Sequence, residues 1–273
     1  MTWMMKAGAW LALSVAALPV AATVPSSLSQ GGLAIASVPA GATATVNGKP
    51  VRVGADGTLA FGAGRDEKGP LIVVLTLPDG RRETTRVVVT PRAWPVERVN
   101  GVPPKTVNPP PDIAARIQRE QAEVAAARQR DDDREGFARG FIWPAVGRIS
   151  GRFGSQRIFN GTPKSPHPGM DIAVPTGTPV KAPADGIVTF AKPDLYLTGG
   201  TILIDHGFGL SSNFLHLSRL DVKVGQHVQQ GEVIGAAGMT GRATGPHVHW
   251  GFNWFEVRLD PMLLPGIAGT SPH

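Results

Sequence analysis

Over most of the chain, apolar and polar residues alternate with a period of two and are interrupted at short intervals by glycine-containing turns. That pattern predicts short, half-buried β-strands. Between about Gly32 and Val99 it is clearest: "TATVNGKPVRV" places Asn47-Gly48 between two strand-like runs, and "LIVVLTLPDGRRETTRVVVT" does the same with Asp79-Gly80. Asparagine-glycine and aspartate-glycine are strong hairpin signals because both accept positive φ. The segment 32–99 is therefore expected to be a small antiparallel β-sandwich. It contains no histidine and no cluster of ligand-type side chains, so its expected role is binding or covering a site and not chemistry.

The pattern then changes. Residues 100–139 open with the proline-dense "NGVPPKTVNPPPD", which should run extended, and continue into "IAARIQREQAEVAAARQR". Asp112 stands where a helix N-cap would, and Ile113, Ile117 and Val124 form a narrow apolar stripe among good helix formers. The expectation is a solvated linker helix, closed by "DDDREG". From 140 to 265 the strand pattern returns in "APADGIVTFA", "GGTILIDHGFG", "LSSNFLHLS" and "LDVKVGQHVQQGEVIGAAG". The predicted class is all-β: a compact antiparallel sheet, its close valine–glycine rhythm suited to a lipoyl-like hairpin sandwich. A carrier domain of that kind would display a lysine at a hairpin tip, typically beside a methionine, and the chain has no such signature.

The N-terminus reads differently from both β-regions. One lysine, an apolar run from Ala7 to Val20 and the small residues Val20-Ala21-Ala22 form the three parts of a secretory signal peptide, residues 1–22. The run is short for a membrane span, so export without stable membrane insertion after cleavage is expected, to a periplasm or cell wall. An exported chain could use disulfides, but its 273 residues include no cysteine, and stability must come from apolar cores or metal. A formal charge of +6 suits an anionic surface. No basic run interleaved with aromatics supports nucleic-acid binding.

Histidine is where the chemistry concentrates. Six of the seven, His167, His206, His216, His227, His247 and His249, fall within the last β-region. On a strand, His247 and His249 point to one face while Val248 points to the other. His167 and Asp171, in "SPHPGMDIAVP", can converge at a turn leading into a strand. Two histidines and one carboxylate make a three-ligand set with an open fourth position, the mark of catalytic zinc. His206 is expected to be structural, His227 exposed on a turn and His273 terminal. Asp205 could brace a neighbouring ring, and Arg157 and Asn160 could line a groove.

In their order, "FIWPAVGRISGRFG", "HPGMDIAVPTGTPVKAPADGIV", "IDHGFG", "FLHLS", "GQHVQQGEVIGAAGMTGRATGPHVHW" and "LDPMLL" resemble the lysostaphin/LytM-type zinc metalloendopeptidases, which cut peptide bridges in peptidoglycan. The resemblance implies one zinc ion held by His167, Asp171 and His249. It also implies that His216 and His247 serve as acid/base group and oxyanion stabiliser, with either assignment open. It implies the compact antiparallel catalytic fold and peptidoglycan as partner. The alternative is a non-enzymatic cell-wall regulator of the amidase-activator type that retains the fold; such relatives have usually lost ligands, whereas all five side chains are present here. The chain departs from the family in having Phe214 where many members have tyrosine, and in lacking an acidic residue soon after His249. Tyr196 is its only tyrosine.

Overall fold

The computed structural model describes residues 22–101 and 109–272. Residues 1–21 of the expected signal peptide, most of the proline-rich connector and His273 lie outside these residues. Among the described residues, no helix is long and apolar enough to cross a membrane.

The N-terminal half is built from β1 (Ser27–Ser29), β2 (Leu33–Ser37), β3 (Thr43–Val46), β4 (Lys49–Val51), β5 (Thr58–Gly62), β6 (Leu71–Thr76) and β7 (Arg82–Thr90). One sheet runs β1-β7-β6-β3-β4 and a second pairs β2 with β5. In β6 the sequence LIVVLT alternates buried and half-buried side chains, as a period-two strand on one core should. Val73, Leu75 and Val87 from one sheet share a core with Leu59 and Phe61 from the other. β1 joins β7 in parallel, an exception to the antiparallel expectation.

The connection to the second half departs from the sequence reading. The strand β8 (Val96–Val99) falls within the segment expected to be the N-terminal sandwich, yet it pairs in parallel with β10 (Gln156–Phe159) of the C-terminal half. The helix α1 spans Pro111–Ala127, with Pro110 at the N-cap and Asp112 inside the first turn, so the cap expected at Asp112 is displaced. Proline at the first turn loses no hydrogen bond, which explains the earlier start. Nor is the helix a free spacer. Val124 and Ala127 pack on Phe190, Leu195 and Leu203, Arg116 reaches Asp194 O at 2.7 Å, and Glu120 accepts from Tyr196 N at 2.8 Å. Of the expected stripe only Val124 enters this cluster, joined by Ala127, and their partners lie on strands far along the chain.

The C-terminal half contains β9 (Arg148–Gly151), β10, β11 (Thr162–Pro163), β12 (Met170–Ala173), β13 (Pro179–Lys181), β14 (Gly186–Leu195), β15 (Gly199–Gly207), β16 (Leu210–Leu217), β17 (Arg219–Leu220), β18 (His227–Val228), β19 (Val233–Ala236), β20 (His247–Trp254) and β21 (Val257–Leu259). Its main sheet has the order β18-β14-β15-β16-β20-β12-β9, with β21 beside β20, and every pairing in it is antiparallel. A small sheet β13-β19-β17 lies apart from that order. The central strand β15 is buried throughout, because Ile202 and Ile204 enter the main core while Leu203 faces α1.

The two halves touch through specific side chains. Arg65 Nε donates to Gly154 O at 2.7 Å, Arg92 pairs with the buried Asp260 at 2.8 Å, and Trp94 meets Phe153 edge-on at 5.8 Å. The all-β architecture with one helix, expected from the hydrophobic pattern, is the architecture found.

Candidate metal centre and substrate cavity

The strand β20 carries the two histidines of "HVH". Val248 is fully buried in the core, so period-two geometry turns His247 and His249 to the opposite face. On that face the register sets Asp171 of β12 directly against His249, and Ala173 against His247. His167 arrives from the loop before β12. Its Nε2 lies 3.0 Å from His249 Nδ1 and 3.1 Å from Asp171 Oδ1, and His249 Nδ1 is 2.8 Å from the same oxygen. The structure thus brings the three residues expected as ligands into one triangle.

Protons alone cannot satisfy that triangle. His167 Nδ1 sits 3.1 Å from Arg152 O; a carbonyl only accepts, so Nδ1 carries the proton and Nε2 of the neutral ring is a bare lone pair. Asp171 offers lone pairs only. A single proton on His249 Nδ1 can serve one of its two short contacts well, which leaves like-signed lone pairs facing each other. A cation resolves all three contacts at once. At ~2.0–2.1 Å from each donor, the usual zinc distance, an ion would sit to one side of the triangle and leave its outer side open. His249 Nε2, by contrast, is buried without a partner.

The electrostatics suit the same occupant. Burial pushes the Asp171 carboxyl up, but its close contacts with the His167 and His249 rings outweigh it and hold the group well below the usual carboxylate range. Burial first, moderated by the Asp171 hydrogen bond, brings His249 down to about 3. Asp171 and His249 are therefore deprotonated at neutral pH, as metal binding requires.

His216 reaches the site by a backbone irregularity. Strict alternation from Leu215, which is cross-strand partner of His249, would send the next side chain towards the core. Between the pairs Ile202–Phe214 and Gly200–Leu217, however, β16 has two residues where β15 has one. This is a β-bulge, and His216 occupies it with φ of +64°. The ring returns to the site face, with its centroid 4.7 Å from that of His247 and 6.4 Å from that of His249. His216 Nδ1 donates to Thr240 O at 2.8 Å and His247 Nδ1 to Gly245 O at 2.8 Å. Each ring therefore keeps a bare Nε2, and that of His247 is 3.8 Å from Asp171 Oδ1. Burial, then the neighbouring His247, lowers His216 to about 4.

Three contributors escaped the sequence reading or were only loosely placed by it. Gly151 on β9 is the cross-strand partner of Asp171; a Cβ there would lie 2.3 Å from Asp171 Oδ2 and 2.9 Å from His167 Cε1. Gly169 is as tight, with its Cβ position 2.6 Å from His249 Nε2. Arg157, expected only as groove lining, binds Asp171 Oδ2 at 3.1 Å and approaches Glu97 of β8 at 3.6 Å. The remaining candidates divide. His206 is fully buried and structural, and His227 is exposed. Asp205 braces no ring: it pairs with Arg134 at 2.9 Å and Arg130 at 3.2 Å. Phe214 is buried in the core, and Tyr196 lies under Arg116 of the helix. Neither supplies a hydroxyl to the site.

His167, Asp171, His216, His247 and His249 all open onto one cavity of about 1320 Å³. Its other walls come from β3 and β6 of the N-terminal half, from α1, and from the β20–β21 hairpin.

Residues 165–261 match the model of peptidase family M23, a stretch that holds all five of these side chains. A crystal structure of a putative peptidase M23 from Pseudomonas aeruginosa is 34% identical, with a TM-score of 0.64 over 86% of this chain and 93% of that one. The peptidoglycan DD-endopeptidase ShyA of Vibrio cholerae is 43% identical over 104 residues, which are 38% of this chain and 24% of the relative. The catalytic domain of lysostaphin from Staphylococcus simulans is 32% identical over 42% of this chain and 90% of that one, with a TM-score of 0.38. The matched stretch spans about a quarter of the length of the curated relatives.

Proposed function

Because the chain belongs to peptidase family M23, we propose that it is a zinc-dependent endopeptidase that hydrolyses peptide cross-links or stem peptides of peptidoglycan. The observation that carries this reading is the triangle of His167, Asp171 and His249 donors beside the cavity. Nitrogen and oxygen donors in a chain without cysteine suit zinc, and three protein ligands with one open side suit a catalytic site. The relative named a DD-endopeptidase favours a D,D peptide bond as the target. Such a substrate lies outside the cytoplasm, which agrees with residues 1–22 acting as an export signal.

Zinc bound there supplies a Lewis acid that polarises the scissile carbonyl and lowers the pKa of water. The rest falls to the chain. His216 and His247 each present a bare Nε2, held in that tautomer by a backbone carbonyl at Nδ1. One takes the proton of the attacking water and returns it to the departing amine. The other, once it has taken up a second proton as an imidazolium, donates from Nε2 to the oxygen on which negative charge develops. Arg157 holds the second oxygen of Asp171 and so keeps Oδ1 turned to His167 and His249.

Metal analysis beside peptidoglycan digestion tests the assignment. His249→Ala should lose both zinc and activity. His247→Ala and His216→Ala should keep zinc while turnover falls by roughly 10²-fold or more, the scale for losing an acid/base group or an oxyanion donor. If His247→Ala loses zinc and His249→Ala keeps it, the roles are reversed. If intact protein loaded with zinc cuts no bond in peptidoglycan, the regulator reading replaces the enzyme.

A further inference from the structure

Away from the metal centre, the cavity ends against two arginines. Arg128 is the C-cap residue of α1. It is only 8% exposed, its Nε is sealed from solvent without an acceptor, and its guanidinium has no hydrogen-bond partner among the described residues. Arg258 of β21 stands near enough to repel it and donates only to the neutral amide oxygen of Asn253, at 2.8 Å. The counter-charge felt by both is the exposed Glu256, which accepts from the neutral Gln129 and forms no ion pair with either arginine among the described residues. Trp254, on the same hairpin, adds a third donor, a buried Nε1 without a partner. All three side chains line the cavity that reaches His167, Asp171 and His249.

A buried guanidinium without a counter-ion costs several kcal/mol. The carbonyls at the end of α1 offer about half a negative charge, too little for two cations. Burial, and then Arg258, depress Arg128 to about 9, which records the same imbalance. Of the other acidic groups on the cavity wall, Asp66 pairs with Arg65 and Glu120 with Arg116, while Glu67 accepts from Gly69 N at 3.2 Å. Donors without acceptors, arranged as planar forks, match the paired oxygens of a carboxylate or phosphate.

We infer that the Arg128–Arg258 end of the cavity is a binding site for an oxyanion, either a carboxylate carried by a bound peptide or a free phosphate. In the first case one ligand lies along the cavity, with its reacting bond at the metal centre and its carboxylate on the arginines. Only that arm rests on the peptidase reading.

The test uses the whole chain, treated with chelator so that zinc cannot capture the anion. Inorganic phosphate should raise the melting temperature of the parent. Arg128→Met should melt no lower than the parent without phosphate, because an uncompensated charge has gone, and should bind phosphate at least tenfold more weakly. Arg258→Met should weaken phosphate as well. The proposal is overturned if phosphate and acetate leave the parent unchanged, if Arg128→Met responds to them as the parent does, or if Arg128→Met melts lower regardless of anion. The source is then read by competition. A stem peptide that displaces phosphate when it ends in a carboxylate, but not as the amide, identifies the substrate, and with zinc restored Arg128→Met should raise KM and spare kcat. Phosphate binding that no peptide displaces identifies a free anion.

Discussion

Acid should destabilise this protein through His206, a residue that takes no part in the proposed reaction. The ring is fully buried. Its Nδ1 donates to Asp185 O at 2.8 Å, its Nε2 accepts from Ser212 Oγ at 2.9 Å, and that oxygen accepts from Trp250 Nε1 at 3.2 Å. Every polar atom in the chain of contacts is satisfied by a neutral imidazole, and a second ring proton on Nε2 would have to displace the Ser212 hydroxyl hydrogen it now accepts. Burial accordingly lowers His206 to about 4 from an ordinary 6.5. The unfolded chain therefore binds more protons than the folded one between those values. The stabilisation is complete above 6.5 and is lost as the pH falls towards 4. At ~1.36 kcal/mol per pH unit the loss comes to about 3 kcal/mol, a large part of the ~5–15 kcal/mol that holds a typical domain together. Urea unfolding followed by tryptophan fluorescence at about pH 7 and about pH 4 measures it, for the parent and for His206→Gln. Other acid-sensitive groups act equally on both proteins, so the difference between the two pH dependences isolates His206. Parallel losses in parent and variant would refute the reasoning.

Two further outcomes follow from the site's surroundings. Gly151→Ala should weaken zinc binding by roughly 10–100-fold, the scale for disturbing groups that orient ligands, because its Cβ would press on Asp171 and His167; competition with a chromophoric chelator measures this, and an unchanged affinity would show that the ligands shift freely. A chain beginning at Gly140 should still bind zinc, since all three proposed ligands lie beyond it. It should melt lower than the parent and be cut more readily near 156–163, having lost the β8 partner of β10 and the helix over Phe190 and Leu203; a truncate as stable and as protease-resistant as the parent would assign those contacts no weight.

The parts of this molecule that obey local rules were readable from the sequence. Hairpin dipeptides at Asn47-Gly48 and Asp79-Gly80 fall at the turns β3–β4 and β6–β7. Alternation alone put His247 and His249 on one face, and the structure sets Asp171 opposite His249. What stayed hidden depends on partners distant in the chain. Nothing near Val96 says that it will pair with Gln156, and the sparse stripe on α1 does not reveal Leu203 beneath it. Arg157 looked like groove lining because its bond to Asp171 depends on the loop between them. The expectation of a solvated helix gave no sign that Arg128, at its end, would be buried beside Trp254 and Arg258.

The bulge at His216 makes the constellation a matter of odd and even counting. In a regular strand each inserted or deleted residue exchanges the two faces for everything beyond it. β16 contains one residue more than its partner between Phe214 and Leu217, and that surplus is what turns the His216 imidazole out of the core. Adding one residue to β15 opposite the bulge would restore an unbroken ladder, and strict alternation from Leu215 would then turn the imidazole towards the core. The His167–Asp171–His249 triangle, anchored on β12 and β20, would be untouched. One added residue in β15 would thus keep the proposed ligands in place and take one of the two proposed acid/base histidines away from them.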